Sequence, residues 1–151
     1  MSKLPLSWAT YFLNVADVVK SKSKDPSTQV GAVIVGPNDQ IISTGFNGFP
    51  RKIDESSPDR WERPLKYSYV EHAERNAIYN AARHGIALEG CTMYISGFGP
   101  PNVPCVDCAR AIIQSGIVYI VGRSSKPASG TWPDNLALAY DMLTEAGVRV
   151  V

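Results

Sequence analysis

From residue 71 to the C-terminus the sequence alternates helix-period segments with short β-branched runs, and no other feature restricts the fold as tightly. Residues 71–84 carry Ala73, Ala77, Ala81 and Ala82, which favour a helix intrinsically, with Ile78 and Tyr79 as packing surface and Gly85 as a stop. A strand is expected over 92–96, a helix over 105–115 closed by Gly116, and a strand over 118–121. A last helix over 133–146 has Pro133 in its first turn and Gly147 beyond its end, and 148–151 reads as the final strand. Strands joined through helices call for a sheet whose crossovers pack back onto it.

The first half of the chain supplies the remaining elements. Trp8, Tyr11, Phe12, Val15, Ala16 and Val19 recur at three- and four-residue spacing, predicting a helix over 8–19 that Ser7 can cap. The apolar run 30–35, the turn Gly36-Pro37-Asn38-Asp39 and the run 41–45 read as a hairpin. The order helix, two strands, helix, strand, helix, strand, helix, strand predicts an α/β fold, a three-layer α/β/α sandwich around a mixed five-stranded sheet. Residues 51–69 lack a period but hold Trp61, Leu65 and Tyr67 among five basic and four acidic side chains, which reads as a lid-like insert or an Ω-loop.

At 151 residues, the chain is expected to form one domain over 1–151. Its net charge of +1 argues against a polymeric nucleic acid as partner, and no apolar run is long enough to predict a membrane partner. Asn14 and Asp17 do not fit a signal peptide, and the odd set Cys91, Cys105 and Cys108 points to a reducing compartment, so a cytoplasmic location is expected.

Two short segments carry the chemistry: His72-Ala73-Glu74 and Pro104-Cys105-Val106-Asp107-Cys108, each opening a predicted helix. Cys105 and Cys108 lie three apart, so both sulfurs can face one ion from a first helical turn, whose dipole favours thiolates. With His72 they form a one-imidazole, two-thiolate set that suits zinc and leaves a fourth position for water. Glu74 is placed to move protons, taking one from that water and later protonating a departing amine. Together these are the parts of a hydrolytic deamination. Cys-x-x-Cys alone is also compatible with a redox pair or a structural zinc knuckle, although a structural site should show a fourth ligand. His84 reads as a cap or surface residue, Cys91 as a small buried hydrophobe, and Asp107 as compensation of a helix dipole.

The two segments together resemble the zinc-binding signature of the cytidine deaminase-like superfamily. Within it, residues 25–32, the segment Gly45-Phe46-Asn47-Gly48-Phe49-Pro50, the run 72–78 and the run 108–117 are similar to deoxycytidylate deaminases. The resemblance implies a cytidine deaminase-like fold, zinc on His72, Cys105 and Cys108, and Glu74 as the proton shuttle. It implies that Asn47 hydrogen-bonds the sugar or phosphate side of a substrate, that Ala73 offers a backbone group near the base, and that Ser27, Thr28 and Gln29 line the pocket or shape its floor. It also implies a homo-oligomer, dimer-based or hexameric, and in some members control by deoxycytidine and deoxythymidine triphosphates.

Two departures stand out. Residues 52–70 contain no cysteine or histidine, so no second zinc is expected. The approach to Cys105 is expanded to Phe98-Gly99-Pro100-Pro101-Asn102-Val103-Pro104, a loop that could reshape which base fits. The leading expectation is hydrolysis of dCMP to dUMP and ammonia, with Arg51, Lys52, Arg60, Arg63, Lys66 and Arg75 as candidate phosphate partners. The alternatives are another free base, nucleoside or nucleotide, including a purine, and a non-catalytic nucleotide-binding subunit. Trp61 and Trp132 are read as core residues or as anchors between subunits.

Overall fold

A computed structural model describes residues 4–97, 102–123 and 134–151. Trp132, Pro133 and residues 98–101 of the expanded loop lie outside the described residues. Helix α1 (Trp8–Lys20) is followed by β1 (Gly31–Val35) and β2 (Ile41–Phe46). The insert contains a 3-10 turn (Pro58–Trp61) and the short helix α2 (Lys66–Tyr69). The remaining elements are α3 (Ala73–Arg83), β3 (Thr92–Ser96), α4 (Val106–Ser115), β4 (Tyr119–Gly122), α5 (Asp134–Glu145) and β5 (Arg149–Val150). Each expected helix and strand is present, and Ser7 caps α1 as expected, its Oγ accepting from the Thr10 N–H at 3.2 Å.

The five strands lie in the order β2-β1-β3-β4-β5, with β1 antiparallel to both neighbours and β3, β4 and β5 parallel. β1 is buried along its whole length. Its alternate residues serve two cores: Val33 and Val35 pack with Phe12 and Ala16 of α1, while Ala32 and Ile34 pack with Ala73 and Ala77 of α3 and with α4 and α5. A strand covered on both faces has no polar side to show, which is why 31–35 reads as a continuous apolar run.

Two features press α3 onto the outer strand. A Cβ at Gly45 would lie 2.3 Å from Ala77 N and 2.5 Å from Ala73 O, so only glycine lets the first turn of α3 seat this closely on β2. Asn76 and Asn80, one turn apart, donate from Nδ2 to the carbonyls of Phe46 (2.8 Å) and Thr44 (2.7 Å), satisfying acceptors on the edge strand. Because β1 opposes both β2 and β3, those two strands point the same way. The helices that follow them, α3 and α4, therefore begin at the same end of the sheet.

The insert is packed on itself. Trp61 stacks on Phe49 with centroids 4.3 Å apart, Tyr69 stacks on Phe49 at 5.2 Å, and the Arg60 guanidinium lies over Tyr69. Trp61 also donates from Nε1 to Glu55 O at 2.8 Å, which gives this half-buried ring a role inside the insert.

Candidate active site

His72 and Cys105 are the N-cap residues of α3 and α4, both with extended backbone (ψ 152° and 167°), so their side chains stand ahead of the first turns. His72 Nδ1 lies 3.4 Å from the sulfur of Cys105 and 3.4 Å from that of Cys108. The three donor atoms all fall within 4.8 Å of one another, and among the described residues no other donor joins them. Cys108 is fully buried on the first turn of α4. One imidazole and two sulfurs at this spacing can hold a metal ion of intermediate softness with one position left open.

The electrostatics suit that use. The hydrogen bond with Cys108 lowers Cys105 to about 4, with the His72 contact assisting against the opposing effect of burial. Cys108 is pushed up because it keeps the shared proton against that thiolate. His72 is raised, mainly by its contact with Cys105. The backbone N–H of Cys108 also favours the Cys105 thiolate, so the two sulfurs can share one proton at the start of α4, and a cation can take that proton's place.

Glu74 lies on the first turn of α3, 1% exposed, and its Oε1 has no hydrogen-bond partner among the described residues. Burial pushes its pKa up to about 6, while the His72 imidazole pulls the other way. A buried carboxylate with an unused oxygen costs stability unless something else binds there.

His72, Ala73 and Glu74 line a cavity of about 430 Å³, together with Asp25, Thr28, Asn47, Arg63, Lys66 and Arg75. Among the expected substrate contacts, Ala73, Thr28 and Asn47 thus share this cavity. The Asn47 carboxamide is already engaged: Oδ1 accepts from Val30 N at 2.8 Å, and Nδ2 donates to Thr28 O at 2.8 Å and to Asp25 Oδ2 at 3.3 Å. It therefore orders the loop that forms the cavity floor. Ser27 is tied to Asp25 and Lys66, and Gln29 donates to Ser23 O at 2.7 Å, so both act in that loop's internal order. His84 caps the end of α3, Cys91 is buried with its thiol pushed up by burial, and Asp107 sits in the first turn of α4, where it meets Arg75 and Arg110.

The sequence reading missed Asp25. Its Oδ1 accepts from the N–H groups of Ser27 (2.9 Å) and Thr28 (3.1 Å) and from Lys66 Nζ (2.8 Å). Asp-Pro-Ser-Thr is a turn signal that could have indicated the first two contacts. Nothing local marks the third, which spans 41 residues. Arg75, considered only as a phosphate partner, bridges Glu71 at 2.6 Å and Asp107 at 3.7 Å, joining the starts of α3 and α4.

The profile of the cytidine and deoxycytidylate deaminase zinc-binding region matches residues 6–123. This chain belongs to that deaminase family. It is 44% identical over 145 residues to an uncharacterized deaminase from the luxG 3′ region of Aliivibrio fischeri, covering 95% of this chain and 91% of that one. It is 41% identical over 128 residues to the deoxycytidylate deaminase of Homo sapiens, covering 80% of this chain and 67% of that one. The dCMP deaminase of cyanophage S-TIM5, crystallised with dCMP and dUMP, superposes with a TM-score of 0.73 at 23% identity over 99% of this chain and 98% of the phage protein, which shows the same fold. The deaminase fold thus places the His72, Cys105 and Cys108 cluster at the shared helix-start end of its sheet. No helix among the described residues is long and apolar enough to cross a membrane.

Proposed function

We propose that this deaminase hydrolyses dCMP to dUMP and ammonia, with zinc held by His72, Cys105 and Cys108 and with Glu74 as the catalytic proton carrier. The observation that carries this reading is the buried Glu74 carboxylate, whose Oε1 has no partner among the described residues, in the same cavity wall as His72, itself one of a group of three potential metal donors. Family membership and the likeness to deoxycytidylate deaminases support the substrate. Zinc, when bound, supplies Lewis acidity that lets water act as a nucleophile near neutral pH.

Glu74 does the proton work. It accepts a proton from the water that adds to C4 of cytosine and passes it to N3. The new C4 hydroxyl then returns a proton through Glu74 to the amino nitrogen, the C4–N bond breaks, and ammonia leaves with a carbonyl at C4 and a proton on N3. A carboxylate raised to about 6 is matched to this alternation, because neither form is strongly favoured near the working pH. Asn47, through Val30, Thr28 and Asp25, holds the floor on which the sugar rests. The chain functions as a single catalytic domain.

Purified protein should carry about one zinc per chain and release ammonia from dCMP in preference to deoxycytidine, cytosine and purine nucleotides. A clear preference for a purine would overturn the substrate. Absence of ammonia from every compound in the panel, with zinc bound, would overturn the enzyme reading.

A further inference from the structure

We propose that Lys66, carried by the insert, is the residue that makes this cavity select a substrate bearing an anionic group. The proposal rests on the dCMP reading of the cavity and names the part of the chain that enforces it.

Lys66 is a charged side chain that is 7% exposed, paired at 2.8 Å with Asp25, whose side chain is 2% exposed. It also donates to Ser27 Oγ at 2.7 Å. Two of its three N–H groups are used, and the third has no partner among the described residues although Lys66 lines the cavity. Asp25 is the hub of the floor, accepting from Ser27, Thr28, Asn47 and Lys66. Those donors, with Lys66 the strongest, hold its carboxyl below the ordinary value despite burial. Without Lys66 the floor would present an uncompensated carboxylate to any entering anion. With it, the floor is neutral and keeps one charge-assisted donor for an acceptor oxygen.

The other cations of the cavity are less suited. Arg75 is already bound by Glu71 and Asp107, and Arg63 is exposed and lies over the Tyr67 ring at 5.8 Å. The insert therefore contributes an ordered ammonium to the cavity, placed by a helix of only four residues and fixed by Asp25.

Equilibrium binding of the products dUMP and deoxyuridine to the zinc-loaded protein tests this without turnover. Wild type should bind dUMP far more tightly than deoxyuridine. Lys66→Met and the charge-balanced Asp25→Asn/Lys66→Met should each reduce that ratio at least about tenfold, whatever either variant does to the shared binding of the sugar and base. Lys66→Arg should keep most of it. The ratio normalises for loss of folded protein, so Lys66→Met and Lys66→Arg decide the question even where the double variant does not fold. An unchanged ratio in Lys66→Met overturns the proposal, as does recovery of the full ratio in the double variant, since Lys66 would then only neutralise Asp25. Loss of the ratio in Arg63→Met but not in Lys66→Met assigns selection to Arg63 and also overturns it. A wild-type protein that does not prefer dUMP over deoxyuridine fails the dCMP reading itself, which the wild-type titration shows before any variant is made.

Discussion

Replacing Glu74 with glutamine should move activity and stability in opposite directions, and both magnitudes follow from one buried carboxyl. Glu74 is 1% exposed and its pKa rises from 4.5 to about 6 on folding. Between those values the native chain holds more protons than the unfolded chain, so stability falls as pH rises through the interval. Below it both states are protonated and Glu74 costs nothing; above it both are ionised and the full penalty of burying the charge remains. That penalty is about 2 kcal/mol. Glutamine keeps the volume and removes the charge. Metal-free Glu74→Gln should therefore match wild type near about pH 4 and exceed it by up to about 2 kcal/mol near about pH 8, or about 4–8 °C in Tm for a domain of this size. The zinc-loaded variant should lose at least about a hundredfold in turnover of dCMP, equivalent to about 2.7 kcal/mol of barrier, because an amide carries no transferable proton. Thermal unfolding by circular dichroism across pH, with chelator present, and ammonia release with zinc present provide the two readings. A variant no more stable than wild type at high pH would refute the burial argument, and near-normal turnover would show that another group moves the protons.

Three further outcomes follow from the geometry. Gly45→Ala brings a Cβ to 2.3 Å from Ala77 N, so α3 must shift, and a loss of at least about 2 kcal/mol in urea unfolding is expected; wild-type stability would mean that α3 does not seat on β2 as described. Asn47→Ala leaves Val30 N–H without its acceptor and frees the floor loop, so KM for dCMP should rise and stability should fall by about 1–3 kcal/mol while zinc is retained; unchanged KM would detach the floor from binding. Cys108→Ser should lower zinc content by removing a fully buried sulfur from the donor group, and elemental analysis showing a full complement of tightly held zinc would displace it from the ligand set.

The elements and the two segments that supply the candidate metal donors were legible in the sequence because their signals are local. Helix period, a serine cap, stopping glycines and short β-branched runs placed α1, α3, α4 and every strand within a few residues. The pairing of Cys105 with Cys108 was also readable, since spacing within a first turn settles whether two side chains share a side. What the sequence could not show depends on pairing between distant segments. That β1 lies antiparallel between β2 and β3, and so brings the starts of α3 and α4 to one end, follows from strand order, which local periodicity does not encode. Asn47 lies in a recognisable segment, but its hydrogen bonds with Val30, Thr28 and Asp25 arise only once β1 and β2 are in register, which the segment itself does not show. The ion pair of Lys66 with Asp25 had no sequence signal at all, because nothing local joins Asp25 to a lysine 41 residues away that reads only as one of six candidate phosphate partners. Only folding, which brings the insert over the floor and removes water from both charges, makes them partners.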